Sequence, residues 1–200
     1  MFVSDEDLMM DCKKGDMSAF ELLVRRYQDA IINYIHFSIN DYHRAEDLAQ
    51  ETFLRVFKNA SRYEVKASFK TWLYTIATNL TRNEIRNRAR RNTYFLEDLV
   101  DENEDVYHSV YMIDEGLQPD LLLERKERQQ IVKKAMKMLP ENQCIALTLV
   151  TYQELSYEEI AEILNCSIGA VKSLIHRARQ NIKDILVKLG IGDSNNEKIY

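Results

Sequence analysis

The chain has 200 residues, 46% of them hydrophobic and 30% charged, and a formal net charge of -5. This composition excludes wholesale disorder and leaves room for one ordinary domain or two small helical ones with modest cores. Five Gly and two Pro supply few turns, and the apolar residues recur three and four apart, so an all-α protein with almost no strand is expected.

The first residues carry Ser4, Asp5, Glu6 and Asp7 where a secretory signal needs basic and then apolar side chains, and no apolar run approaches roughly 18 residues. The chain is therefore expected to be cytoplasmic, with no direct membrane insertion. Ser4 and Asp7 form an acidic capping start, followed by the stripe Phe20, Leu23, Val24, Tyr27, Ile31 and Ile35. Asp41 to Arg44 breaks that stripe. A helix is predicted from Ala45 to Ala60, with Leu48, Thr52, Phe53, Val56 and Phe57 on one face and Asp47, Gln50, Glu51, Leu54 and Arg55 available to the other.

A polar loop, Ser61 to Ala67, leads to Ser68, which can cap a third long helix. Phe69, Trp72, Leu73, Ile76, Ala77 and Leu80 point inward there, which assigns Trp72 to the core. Lys70, Thr71, Tyr74, Thr75, Thr78, Asn79 and Arg82 are left outside. Beyond it, residues 92–120 have weak periodicity and dense acid and are expected to form a linker. One helix is predicted from Leu121 to Met138, then Pro140 opens a helix from Glu141 to Tyr152. Ser156 with Glu159 is a capping box for a helix from Tyr157 to Leu164. Asn165-Cys166-Ser167 is the turn before a last helix from Ile168 to about Leu189, and Gly190 stops it. The expected organisation is a first unit at 1–91, the acidic linker at 92–120, a second unit at 121–190 and a tail at 191–200.

Charge is distributed unevenly along these segments. Arg62 to Arg91 holds eight basic residues against Glu64 and Glu84, a net of about +6; residues 92–127 hold eleven acids against Arg125 and Lys126, about -9; Ile168 to Lys188 returns to about +4. Two basic surfaces are thus separated by an acidic connector.

The stretch from Tyr157 to Arg179 has the form of a helix-turn-helix, with Ile160, Ala161 and Leu164 inward on the first helix and Val171, Ile175 and Ala178 anchoring the second. Asn165 stands where such turns commonly have Gly, and tolerates the same left-handed backbone. The second helix of this motif enters the major groove, which places Ser167, Gly169, Lys172, Ser173, His176 and Arg177 towards bases and Arg179 and Lys183 towards the backbone. No catalytic or metal chemistry competes with this assignment. His36, His43, His108 and His176 form no metal-ligand pattern, Cys12, Cys144 and Cys166 have no CxxC spacing, and no phosphate loop or nucleophile motif occurs. No cofactor is expected.

Three runs, Glu46 to Phe57, Ser68 to Arg91 and the helix-turn-helix, together closely resemble conserved regions two and four of the extracytoplasmic-function sigma factors of the sigma-70 family. The resemblance implies a fold of two small helical domains, a region-two bundle and a region-four helix-turn-helix. It implies that Asp47, Gln50, Glu51, Leu54 and Arg55 dock on the clamp helices of the beta-prime subunit of RNA polymerase, with the beta flap as a further contact. It places minus-ten promoter DNA on Arg62, Tyr63, Lys66, Lys70, Thr71, Tyr74, Thr75, Asn79, Arg82 and Arg86, and the minus-thirty-five duplex on Ser167, Gly169, Lys172, Ser173, His176, Arg177 and Arg179. Leu174 stands where many relatives carry Arg. The resemblance further implies promoter-specific initiation in response to envelope or extracytoplasmic stress, under an anti-sigma factor whose membrane anchoring is left open. The competing reading is an autonomous helix-turn-helix regulator of duplex DNA.

Overall fold

The computed structural model describes residues 3–65, 67–94, 131–132 and 134–188. These residues contain α-helices and one 3-10 turn and no strand. Lys66, the acidic linker from 95 onward, the first part of the helix expected from Leu121, Gly190 and the tail lie outside the described residues.

Helix α1 spans Asp5–Lys13 and starts where expected, since the Ser4 hydroxyl accepts the Asp7 amide at 3.1 Å. Gly15, at φ 101°, reverses the chain in a conformation that favours glycine. Asp16 then caps α2, Met17–Ile39, by accepting the amides of Ser18 and Ala19 at 2.8 and 3.3 Å. Asn40 closes α2 in the left-handed region at φ 53°, and Asp41 immediately caps α3, Tyr42–Lys58. The break expected at Asp41 to Arg44 is therefore only two residues, Asn40 and Asp41, and α3 begins three residues before the predicted Ala45.

The buried face of α3 is Ala45, Leu48, Ala49, Thr52, Phe53 and Val56. Phe57 is not part of it: its ring is 41% exposed and tilts against Phe20 at 5.2 Å. A 3-10 turn at Ala60–Arg62 leads to α4, Phe69–Tyr94. Glu84, 4% exposed, joins the start of α3 to α4: its carboxylate accepts from Arg44 at 2.9 Å and from Arg88 at 3.0 Å. Arg88 also donates to Asp41 at 2.6 Å and to the Ile39 carbonyl at 3.2 Å. Burial pushes the Glu84 carboxyl up, but the two guanidiniums outweigh it and hold it below the usual range.

Helix α4 is buried on more than one face, with Phe69, Thr71, Leu73, Tyr74, Ala77, Thr78, Leu80 and Thr81 all enclosed. Two of its threonines are satisfied within the helix, Thr75 and Thr81 donating to the carbonyls of Thr71 and Ala77 at 2.8 Å, while the Thr78 hydroxyl pairs with that of Tyr34 at 2.6 Å. Part of the double burial comes from the second unit, formed by α5 (Glu141–Tyr152), α6 (Tyr157–Leu164) and α7 (Ile168–Lys188). Helices α1, α2 and α3 pack on one side of α4 and α6 packs on another, while α5 packs on α2. The Phe37 and Tyr152 rings stack at 4.6 Å with an interplanar angle of 15°. The two basic units are thus pressed together.

Candidate nucleic-acid interfaces

The loop after α3 is shaped by α1. Lys13 donates to the Tyr63 carbonyl at 2.8 Å and Glu6 accepts the Phe69 amide at 2.8 Å, so the two ends of the loop are tied to one short helix. Ser68 caps α4 as predicted, accepting the Thr71 amide at 3.1 Å. The Tyr63 ring turns inward and is 4% exposed, against Trp72 at 5.1 Å and Phe69 at 6.5 Å. Trp72 is half-buried by these rings. It also lines a cavity.

That cavity has a volume of about 480 Å³ and is walled by Arg55, Asn59, Arg62, Tyr63, Glu64, Ala67, Trp72, Ile76 and Asn79. An aromatic floor with guanidinium and amide groups at the rim suits a base drawn out of a stack, since π-faces hold the ring and the polar groups hold its edges or phosphate. Arg62 and Asn79 are exposed at it, and Arg86 is exposed further along α4. Among the described residues, the rest of the predicted strand-binding row is not. Thr71 and Tyr74 are 3% and 0% exposed, and Lys70, Thr75 and Arg82 are partly covered.

The second unit supplies part of that cover, beside Tyr34 of α2, whose ring meets Tyr74 at 5.3 Å. Lys70 donates to the Gln153 carbonyl at 2.7 Å, and the Tyr74 hydroxyl donates to the Gln153 side chain. Ser68 and Thr71 donate to Glu159 at 3.4 and 3.3 Å. Arg82 donates to Asn142 at 2.8 Å and lies 3.6 Å from the Glu141 carboxylate. None of these four partners carried a signal in the sequence except Glu159, which was assigned only to its capping box.

The helix-turn-helix is built as predicted. Ser156 and Glu159 form a reciprocal capping box, and Asn165 ends α6 at φ 51°, ψ 56°. The Ser167 hydroxyl accepts the Ala170 amide at 3.2 Å at the start of α7. Val171, Ile175, Ala178 and Ile185 are buried. Ser167, Gly169, Lys172, Ser173, His176, Arg177 and Arg179 are all exposed along the other face. Leu174 is half-buried and packs on the core, which accounts for an apolar residue at that register.

On α3, Asp47, Gln50, Leu54 and Arg55 are exposed and Glu51 is half-buried, with an Arg55–Glu51 ion pair at 2.7 Å. Leu54 is 44% exposed, giving this face an apolar centre within a charged rim. The exposed Phe57 extends the apolar part and was missed because helical spacing placed it inward.

Both units match known families. Residues 23–91 match sigma-70 region 2 and residues 129–182 match sigma-70 region 4. The chain belongs to the sigma-70 family of RNA polymerase sigma factors. Within that family several of its relatives are extracytoplasmic-function sigma factors. It is 34% identical to the RNA polymerase sigma-H factor of Pseudomonas aeruginosa over 92% of this chain and 95% of that one. To the extracytoplasmic-function sigma factor SigW of Bacillus subtilis it is 34% identical over 86% and 90% of the two chains. Among solved structures, the sigma factor RpoE of Bartonella quintana, crystallised with the anti-sigma factor NepR, matches with a TM-score of 0.66 and 26% identity, covering 84% of this chain and 96% of that one. As a sigma factor, the chain acts in transcription initiation. Among the described residues no helix is long and apolar enough to cross a membrane, and no cluster of three or more potential metal ligands occurs.

Proposed function

We propose that this sigma factor recruits core RNA polymerase to promoters by dividing recognition between its two units. The observation that carries the reading is the pairing, in one chain, of an aromatic-floored cavity beside a basic helix with an exposed recognition row on α7. The cavity suits a base from a melted minus-ten strand, with Arg62 and Asn79 at its rim and Lys70, Thr71, Tyr74, Thr75, Arg82 and Arg86 along the strand's path. Tyr63 contributes its face as a wall, and Lys66 belongs to the same loop. Lys172 and Arg177 suit base edges or phosphates of the minus-thirty-five duplex, with Ser167, Gly169, Ser173, His176 and Arg179 beside them.

The α3 face from Asp47 to Arg55 docks on the beta-prime clamp helices, and the second unit reaches the beta flap. The chain needs no catalytic group of its own, because polymerase performs the chemistry in the cytoplasm. A structural relative is a sigma factor in complex with an anti-sigma factor, and this chain is held by a partner of that kind until envelope stress releases it. The bounds of the two domains are those set out from the sequence, at 1–91 and 121–190, with 92–120 as linker and 191–200 as tail.

The deciding experiment is in vitro transcription with purified core polymerase and a promoter library. Initiation that depends on this chain and on paired minus-thirty-five and minus-ten elements is the expected result. Binding to a palindromic duplex without polymerase, and no initiation with it, would establish the autonomous regulator instead.

A further inference from the structure

We propose that the first turn of α7 is an apolar reader, in which Ile168 packs on the 5-methyl group of a thymine in the minus-thirty-five element and Gly169 lets the helix close on the duplex. This inference rests on the assignment of the α7 row to that duplex. Ile168 is 39% exposed, whereas the next two β-branched residues of the helix, Val171 and Ile175, are 0% and 2% exposed. The core leaves it out. It stands instead beside the exposed polar row, one turn before Lys172.

Gly169 is a second departure from what the fold alone would choose. It sits in the first turn of a 21-residue helix without a positive φ, where glycine is among the least favourable residues. Among the described residues, a β-carbon at this position would meet only Ser167 Oγ at 3.9 Å, an ordinary van der Waals distance. Nothing packed around it therefore asks for glycine. A surface brought against the turn from outside does, because a missing β-carbon lets the backbone approach a ligand closely.

Side-chain chemistry then selects the base. Lys172, Ser173, His176 and Arg177 all carry hydrogen-bonding groups, which serve base edges or phosphate. Ile168 has neither donor nor acceptor, and the thymine methyl is the apolar group that a base pair presents in the major groove. The N-terminal residues of a recognition helix are the ones that reach base edges. Lys172 lies about 6 Å further along the helix, so the thymine falls within about two base-pair steps of the contact that Lys172 makes.

The test is competition binding of the holoenzyme to a duplex carrying the minus-thirty-five element recovered from the promoter library, with each thymine on either strand replaced in turn by deoxyuridine. The exchange removes only the methyl and keeps the pairing and hydrogen-bonding groups. One replacement should weaken binding by the wild type about fourfold, the loss expected for one buried methyl. The Ile168→Ala holoenzyme should bind the thymine and deoxyuridine duplexes equally. Gly169→Ala should weaken duplex binding about tenfold, roughly the cost of one lost base contact, while raising the melting temperature of the free chain by about 2–4 °C. Opposite signs of these two effects mark a residue kept for the ligand and not for the fold. Indifference of the wild type to every deoxyuridine, an equal response of the wild-type and Ile168→Ala holoenzymes, or wild-type duplex affinity in Gly169→Ala would overturn the reader and leave the assignment of α7 standing. A wild-type holoenzyme that does not distinguish the element from random duplex would remove that assignment itself. The deoxyuridine series uses the unaltered chain, so it decides the matter whatever the variants do to folding.

Discussion

Helices α4 and α7 each carry a row of polar and basic side chains, yet one row is covered and the other is open. Thr71 and Tyr74 are enclosed, Thr71 against Glu159 and Tyr74 between the Tyr34 ring and Gln153, whereas Lys172, Ser173, His176, Arg177 and Arg179 are exposed. On the proposed assignments, the difference matches what each row would read. A duplex presents a preformed groove that an exposed helix can enter at once, while a melted strand exists only once polymerase is engaged. On those assignments, the exposed row is the one whose target stands ready as duplex, and the covered row is the one whose target forms later.

The largest expected effect breaks the open side. Lys172→Ala with Arg177→Ala should cost about 3 kcal/mol of minus-thirty-five duplex affinity in the holoenzyme, measured by competition binding, because each removes a contact of roughly 1–3 kcal/mol. Binding of a minus-ten single strand should not change. Equal loss of both would mean that the two rows do not act separately.

A smaller effect loosens the closed side. Phe37→Ala removes the ring stacked on Tyr152 and should destabilise the contact between the units by about 1–2 kcal/mol. Faster amide exchange in the backbone of residues 71–75, with unchanged exchange in α7, is the readout. Uniform protection in both would show that this stack holds nothing together.

Acid should act in a graded way on the same side. Burial pushes the Glu159 carboxyl up, but hydrogen bonds from the Ser156 amide and hydroxyl, Thr71 and Ser68 outweigh it and hold it below its ordinary 4.5. A carboxylate with a lowered pKa in the folded chain contributes stability that is present above 4.5 and is lost as pH falls through the folded value. The separation of the two units, read from spin labels at Lys58→Cys and Lys188→Cys in a Cys166→Ser background, should therefore lengthen as pH is lowered below about 4.5, and Glu159→Gln should flatten that dependence. The smallest effect concerns the mount of the open row. Asn165→Gly, at φ 51°, should raise thermal stability by about 0.5 kcal/mol and leave duplex binding unchanged.

Local features were legible in the sequence because their causes are local. The cap at Ser4, the capping box of Ser156 and Glu159 and the left-handed Asn165 all sit within a few residues of what they satisfy. The α7 row followed from spacing alone, since its inner residues Val171, Ile175 and Ala178 fix which side faces out. The covering of α4 was not legible. Tyr74 and Gln153 are 79 residues apart, and a tyrosine bonded to a glutamine across an acidic linker leaves no periodic trace. Tyr63 was expected to stack on a strand, but its ring is drawn in against Phe69 and Trp72 by a loop that Glu6 and Lys13 hold from the far end of the unit. Phe57 faces outward at a register that spacing assigned to the core.

Glu159 carries a consequence for how cheaply the two units can part. One of its oxygens accepts from Ser68 and Thr71, while the other accepts the Ser156 amide at 2.9 Å within its own helix. Separation breaks the first set and keeps the second, so the carboxylate is never left stranded without a donor. Lys70 and Arg82, for their part, are released towards water or towards phosphate. A joint made this way can cycle many times without an uncompensated charge at either end of its travel.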